Sequence, residues 1–177
     1  MKINQRQKGF TLIELLIVVA IILIIAAIAI PNLLQSKMAA NQASAVGSLR
    51  TINTADVTYS SSYNIAYANT LAMLGGPTGV AATCNLSELI DPVLSTATAG
   101  VPKSGYTFTY TGATAFTGVT PAGCTAGWLN FSVNATPLNN STGHNVYCID
   151  DSGVIRVDIT AAYNGNACGT SGLPAMQ

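Results

Sequence analysis

The apolar residues of this chain are distributed unevenly, and the longest apolar run lies close to the N-terminus. Every residue from Leu15 to Ile30 is Leu, Ile, Val or Ala. As a helix, the 21 residues from Phe10 to Ile30 would extend about 32 Å, which matches the roughly 30 Å hydrocarbon thickness of a bilayer. A helix that is apolar on every side is not suited to a water-facing surface. Residues 10–31 are therefore predicted to lie in lipid or in a bundle of similar helices.

After this run the chain becomes polar, while the helical spacing of its apolar residues continues. One broad stripe is formed by Leu34, Met38, Ala45, Leu49, Ile52, Tyr59 and Tyr63. The pattern predicts one helix from about Thr11 to about Ser61, whose amphipathic second part, residues 32–62, packs on a head domain. Pro31 lies inside this helix, where it removes the hydrogen bond to the Ala27 carbonyl and clashes with it, so a kink is expected there.

Residues 63–177 are predicted to form the globular head. A connection of about 40 residues without a sustained period comes first, and residues 85–90 within it suit one short helix. Alternating apolar positions then predict four strands near residues 106–110, 129–133, 146–149 and 154–159, the last two joined as a hairpin. In the second strand, Leu129, Phe131 and Val133 are expected on one face. The expected fold class is α+β: a long kinked N-terminal helix packed on a C-terminal antiparallel sheet.

Composition adds that the chain carries unusually little charge. Charged residues make up 8% of the 177 residues, where roughly 25% is usual in soluble proteins. Three of the seven basic residues, Lys2, Arg6 and Lys8, precede the apolar run, which predicts that this end stays cytoplasmic and the bulk of the chain lies outside. No basic patch remains in the sequence to indicate a dedicated nucleic-acid site.

All four cysteines follow the apolar run, in the part of the chain predicted to lie outside the membrane. An even number of cysteines in an oxidising compartment indicates two disulfides, for which three connectivities exist. We favour Cys84–Cys124 and Cys148–Cys168, because the second pair would attach the C-terminal tail to a strand. The sequence contains no Cys-x-x-Cys spacing, which argues against a zinc or redox motif.

No constellation of catalytic residues emerges from the sequence. His144 is the single histidine, and a general base needs a partner within reach. Asp150, Asp151 and Asp158 flank the predicted hairpin, where a solvated turn is favoured over a calcium site. The chain is therefore predicted to be no enzyme and to have no catalytic, cofactor-binding or metal site.

One short motif at the start of the apolar run is more specific than the rest of the chain. The stretch Gly9-Phe10-Thr11-Leu12-Ile13-Glu14 follows the basic leader, and Glu14 is the one carboxylate of the apolar segment. An ionised group near mid-bilayer costs on the order of 3 kcal/mol on insertion scales. From about Lys8 to Leu34, including Pro31, the chain resembles the type IV pilin superfamily, which comprises type IV pilins and the pseudopilins of type II secretion. The order of its elements also resembles the type IVa pilin fold.

The resemblance implies how the N-terminal residues are processed and used. A membrane-embedded prepilin peptidase would cut after Gly9, remove residues 1–9 as a leader peptide, and methylate the new amine of Phe10. The precursor would be a single span of the inner membrane, in contact with lipid and with a pilus assembly platform. It would then polymerise with other pilin chains into an extracellular filament on the cell surface, with Phe10 and Glu14 as assembly residues.

The leading interpretation is thus a structural subunit of a type IV pilus, and two alternatives stay open. A type II secretion pseudopilin belongs to the same superfamily, although the disulfide-bounded tail and the missing calcium motif favour the pilin. A single-pass membrane-anchored adhesion or binding module that never polymerises is an alternative of a different class.

Overall fold

In the computed structural model, the described residues are 9–76, 79, 81–97, 101–159 and 176. The chain divides into two compact units, Met1–Lys37 and Met38–Gln177. A single α-helix, α1 (Leu12–Tyr63), provides most of the described first unit and the N-terminal element of the second. Its ends lie within two residues of the expected ones, so the prediction of one long helix is confirmed.

The second unit contains one sheet whose four antiparallel strands are arranged in chain order. They are β1 (Tyr106–Ala115), β2 (Trp128–Pro137), β3 (Val146–Asp150) and β4 (Ile155–Asp158). Between β3 and β4 the chain turns through Gly153. Its φ is 72°, a value that glycine adopts without steric cost. All four predicted strands and the predicted hairpin are present, and the α+β fold class is confirmed.

Two one-turn helices, α2 (Leu71–Leu74) and α3 (Pro92–Ser95), lie in the connection between α1 and β1. The first turn of α3 is capped by Asp91, whose Oδ1 accepts a hydrogen bond from the Leu94 N–H at 2.9 Å. The prediction of a short helix over residues 85–90 is wrong. The N–H groups of residues 87–90 donate instead to carbonyls of residues 73–75, so they are not available for helical hydrogen bonds.

The hydrophobic core of the second unit lies between α1 and one face of the sheet. Leu49, Ile52 and Tyr59 of α1 are fully buried. The sheet contributes Tyr106, Phe108, Phe131, Val133, Ala135, Tyr147, Ile149 and Ile155 to the same cluster. The predicted stripe is therefore confirmed from Ala45 to Tyr59, whereas Leu34 is 49% exposed.

One strand residue that was expected to share the buried face is exposed. Phe131 and Val133 are buried, but Leu129 is 46% exposed. The register of β1 against β2 shifts twice beyond Gly112, where β1 pairs with the start of β2. Leu129 lies at one of these shifts, where a bulge can re-aim a side chain, so its expected burial beside Phe131 and Val133 is wrong.

The helical assignment of α1 continues through Pro31. Proline in a helix interior removes one backbone hydrogen bond without necessarily ending the helix. The kink expected at this residue stays a prediction.

Candidate functional site

The candidate processing junction, Gly9 and Phe10, lies immediately before α1. Both residues are exposed, and Phe10 is exposed to 81%. A Cβ atom added at Gly9 would meet no atom within 4 Å, so the peptide bond after Gly9 is accessible to another molecule. The rest of the predicted leader, Met1 to Lys8, lies outside the described residues.

Thr11 and Glu14 form a capping box at the first turn of α1. The Glu14 N–H donates to Thr11 Oγ1 at 3.3 Å, while Glu14 Oε2 accepts from the Thr11 N–H at 2.9 Å and from the Thr11 hydroxyl at 2.6 Å. This is the reciprocal Ser/Thr-x-x-Glu arrangement, with the carboxylate at the positive end of the helix dipole. The Thr-x-x-Glu spacing signals this box, which the interpretation of the sequence did not include.

The capping box leaves one oxygen of Glu14 available. Only Oε2 is bonded to Thr11, and no described residue donates a hydrogen bond to Oε1. The carboxylate is therefore held in place by one oxygen, while the other can accept a hydrogen bond from a separate chain.

The apolar residues after Glu14 form an extended exposed surface. From Leu15 to Ile30, each Leu, Ile and Val is between 45% and 65% exposed. A large contiguous apolar surface of this kind is typical of a segment that contacts a membrane or other apolar helices. Among the described helices, α1 alone is long and apolar enough to cross a membrane.

In the head, Cys84 and Cys124 form the disulfide that was favoured from the sequence, with their Cα atoms 5.6 Å apart. The bond joins the connection before β1 to the loop between β1 and β2. Asn85 supports the same junction, since its Nδ2 donates to the Gly123 carbonyl at 2.7 Å and its Oδ1 accepts from the Thr125 N–H at 3.1 Å. The junction thus has one covalent and two hydrogen-bonded links.

Only one end of the second predicted disulfide falls among the described residues. Cys148 is fully buried in β3, and none of the described cysteines is free. Cys168 lies outside the described residues, so the Cys148–Cys168 pairing stays a prediction. Farther along, the N–H of Met176 donates to the Ile155 carbonyl at 2.9 Å, which brings the end of the chain beside β4.

We expect the double replacement Cys84→Ser with Cys124→Ser to lower the free energy of unfolding of the head by roughly 3 kcal/mol, because it releases a long loop in the unfolded chain. Chemical denaturation of the full chain in detergent micelles measures this difference. The matched control Asn85→Ala removes the two hydrogen bonds of the junction but keeps the disulfide, and should cost about 1 kcal/mol. Equal stability of the double variant and the wild type would contradict the prediction.

The acidic residues of the β3–β4 hairpin are engaged within the protein. Asp150 Oδ1 accepts from the Ser152 N–H at 3.1 Å and also from the Ser152 hydroxyl. Asp151 accepts from Asn130 Nδ2 at 2.9 Å, and His144 is exposed in the preceding loop. Among the described residues there is no group of three or more His, Cys, Asp or Glu that could hold a metal ion.

A carboxylate that the sequence did not single out is buried in the second unit. Asp56 of α1 has no exposed surface. Its Oδ1 accepts from the Ala68 N–H at 3.0 Å and lies 3.1 Å from the Tyr110 hydroxyl. Burial raises the pKa of Asp56 to about 7, although both hydrogen bonds act to lower it. From the sequence, Asp56 is one more polar position on an amphipathic helix, and only the folded chain shows it to be covered.

These features together define a class of protein: a prepilin-like N-terminal segment followed by an α+β head, an arrangement consistent with the type IV pilin fold. Residues 4–30 match the family model described as the prokaryotic N-terminal methylation motif. The resemblance to the type IV pilin superfamily, which the sequence suggested through Gly9, Phe10 and Glu14, is thereby confirmed for this segment.

Two relatives carry the comparison further. The chain is 48% identical over 58 residues to the type IV major pilin protein PilA of Myxococcus xanthus, an alignment covering 33% of this chain and 26% of that protein. It is 65% identical over 37 residues to the type IV wide pilus major component PilA4 of Thermus thermophilus, covering 21% of this chain and 28% of that protein. The chain thus spans about a quarter of the length of the relatives it matches. No solved structure matches it significantly.

Proposed function

We propose that this chain is a structural subunit of a bacterial type IV pilus. The observation that carries the proposal is the N-terminal segment, in which an accessible Gly9–Phe10 junction precedes a carboxylate fixed by Thr11 and a long exposed apolar helix. A membrane anchor requires only the apolar helix. In an anchor, Glu14 would serve only to cap the helix through Thr11, whereas in assembly the Gly9–Phe10 junction and the free oxygen of Glu14 both have a use.

The apolar surface would be covered by different partners in the two stages of the subunit. In the inner membrane, lipid covers residues 15–30. In the filament, the equivalent helices of other subunits cover the same residues, while the heads lie on the outside at the cell surface. The driving force for the exchange is dispersion contact and interhelical polar pairing, because lipid already satisfies the hydrophobic requirement.

Glu14 would supply that polar pairing after the leader is removed. Cleavage after Gly9 creates an α-amine on Phe10, one helical turn from Glu14. Within one chain, Oε2 of Glu14 is already bonded to the Thr11 N–H and hydroxyl. A neighbouring chain with a different stagger can bring its amine to the unbonded Oε1, and such a pair is favourable in apolar surroundings where a lone charge is costly.

The partners in this proposal are other copies of the chain, a prepilin peptidase that also methylates Phe10, and an assembly platform in the inner membrane. Both relatives are named as major pilus components, which supports a major structural subunit over a type II secretion pseudopilin. The same names support a structural protein over an enzyme. An anchored adhesion module that never polymerises is the remaining alternative. The two proposals are distinguished by whether residues 1–9 are removed.

Intact-mass measurement of the chain extracted from native membranes should show the loss of Met1 to Gly9 and the gain of one methyl group. The expectation follows from the accessible junction at Gly9, where a peptidase can approach the backbone. Gly9→Leu should leave the uncut precursor in the membrane, because a large side chain obstructs that approach. The control Gly47→Ala, at a helical glycine with open space around it, should be processed normally. Recovery of only the full-length chain from a cell with an active prepilin peptidase would reject the pilus proposal.

A further inference from the structure

A segment after α1 is held down by contacts from three elements. We call residues 64–69 the strap. Two of its residues have positive φ, Asn64 at 57° and Ala66 at 46°, and for alanine this conformation costs on the order of 1 kcal/mol. Ile65 and Ala68 are nevertheless fully buried. The strap is therefore kept in a strained path by the groups that bind it.

One set of contacts comes from β2. The Tyr67 N–H donates to the Trp128 carbonyl at 2.9 Å, and the Trp128 N–H donates back to the Tyr67 carbonyl at 3.1 Å. The Trp128 indole N–H donates to the Asn69 carbonyl at 3.0 Å. All three contacts are made by backbone groups and the indole N–H, none of which is ionisable, so they do not depend directly on pH.

The other set comes from α1 and β1 and contains an acid. Asp56 Oδ1 accepts from the Ala68 N–H, and the Tyr110 hydroxyl lies 3.1 Å from Asp56 Oδ1 and 3.0 Å from the Ala68 carbonyl oxygen. A hydroxyl group has one proton. If Asp56 is ionised, Tyr110 faces two acceptors and can donate to only one of them.

A proton on Asp56 supplies the missing hydrogen-bond donor. The carboxyl O–H at Oδ1 then donates to the Tyr110 oxygen, and the Tyr110 hydroxyl donates to the Ala68 carbonyl, so each short contact becomes a hydrogen bond. The ionised form has a second deficit, because Oδ2 is buried and has no hydrogen-bond partner among the described residues. A buried charge without a partner is strongly unfavourable.

The surroundings of Asp56 contain no compensating cation among the described residues. The titratable groups that face it or its hydroxyl partner are all tyrosines: Tyr110 of β1, Tyr59 of α1 and Tyr67 of the strap. The described ion pairs of the head, Lys103–Asp91 and Arg156–Asp150, do not involve it. A tyrosine carries no positive charge, so it can stabilise a carboxylate only through its hydroxyl hydrogen bond, and the Tyr110 hydroxyl also faces the Ala68 carbonyl oxygen.

We propose that Asp56 is a proton-dependent latch: the protonated carboxyl holds Ala68 and the strap against α1 and β1, and ionisation loosens them. The sign follows from proton binding, because the closed latch binds a proton more tightly than the open, solvated one. The free energy that favours the closed latch is largest below the ordinary aspartate pKa of 3.8. It decreases as the pH rises from there to about 7, and it is constant above that value. The latch lies within the second unit, and its operation does not depend on the pilus proposal.

Hydrogen exchange of the full chain in detergent micelles tests the latch. Peptides that cover residues 64–69 are compared between wild type and Asp56→Asn at pH 5 and pH 8, so that the pH dependence of intrinsic exchange cancels. The equilibrium constant for opening of the strap in wild type, divided by that in the variant, should increase on the order of tenfold to 100-fold from pH 5 to pH 8. The matched control Asp151→Asn removes an exposed carboxylate, and its ratio to wild type should not change with pH. A pH-independent ratio for Asp56→Asn would overturn the latch.

A second measurement needs no variant and decides the matter if Asp56→Asn does not fold. The chain has five aspartates, and Asp56 is the one that is fully buried among them. Carbon NMR of the wild-type chain with labelled aspartate carboxyl groups should show one resonance that titrates near pH 7. Titration of all five resonances below about pH 5, near the ordinary aspartate value, would show that Asp56 is ionised in the folded head and would refute the proposal.

Discussion

Replacement of Glu14 by valine should reduce filament yield at least about tenfold while the chain still accumulates in the membrane. Breaking a buried charge pair by removal of one partner costs roughly 3 to 5 kcal/mol, and here the Phe10 amine of a neighbouring subunit would lose its carboxylate. Insertion should not suffer, because removal of the charge makes the segment more apolar. A simple membrane anchor predicts the same insertion and has no filament to lose.

The capping box requires a control that separates the two roles of Glu14. Glu14→Gln keeps an acceptor for the Thr11 N–H, since glutamine also serves at this position of a capping box, but it removes the charge. Thr11→Val does the reverse, because it removes the hydroxyl that donates to Oε2 and leaves the charge. If the charge pairs with a neighbouring amine, Glu14→Gln should lose most filaments, and Thr11→Val should retain more of them.

Filament yield and membrane level have to be measured on the same cells. Electron microscopy of sheared filaments gives the first quantity, and immunoblots of the membrane fraction give the second. Co-expression of wild-type chains should partly rescue Glu14→Val, because every contact in which a wild-type Glu14 meets the Phe10 amine of a neighbour keeps its charge pair. Normal filaments from Glu14→Val would exclude the assigned role, and a loss of membrane protein would indicate an insertion defect.

Gly127→Ala should be strongly destabilising to the head, by roughly 3 kcal/mol, which is the upper end of the usual range for overpacking. An added Cβ atom would lie 1.8 Å from the backbone oxygen of Tyr67. That oxygen accepts the Trp128 N–H at 3.1 Å, so it cannot move away without breaking the bridge between the strap and β2. The collision involves backbone rather than a flexible side chain, and rotamer changes cannot relieve it.

The matched control is another glycine-to-alanine change, which is expected to raise the free energy of unfolding rather than to lower it. Gly47 lies in α1, and a Cβ atom there would meet no atom within 4 Å. Alanine is preferred to glycine in a helix interior by about 1 kcal/mol, so Gly47→Ala should stabilise the head. Denaturant unfolding of both full chains in micelles, followed through the emission of Trp128, measures the two effects. A Gly127→Ala chain as stable as the wild type would contradict the close packing of strap and β2.

The sequence by itself determined the features that depend on local pattern. Apolar residues in an unbroken run predict an apolar helix, alternation predicts strands, and both predictions are confirmed because helix and strand periods are properties of neighbouring residues. The N-terminal motif was readable for the same reason, since Gly9, Phe10 and Glu14 are close in sequence. The Thr11–Glu14 capping box was equally local, and its spacing could have been interpreted before the structure was known.

Only the tertiary structure decided which residues meet across the chain. Leu129 is exposed at a register shift between β1 and β2, and such a shift is not encoded in the alternation of either strand. Residues 87–90 are not helical because their N–H groups bond to carbonyls more than ten residues away. Asp56 became a buried acid because the strap folds over it and Tyr110 approaches from a strand 54 positions further along. Local pattern states which element a residue joins, whereas burial and hydrogen-bond partners are set by the elements that pack against it.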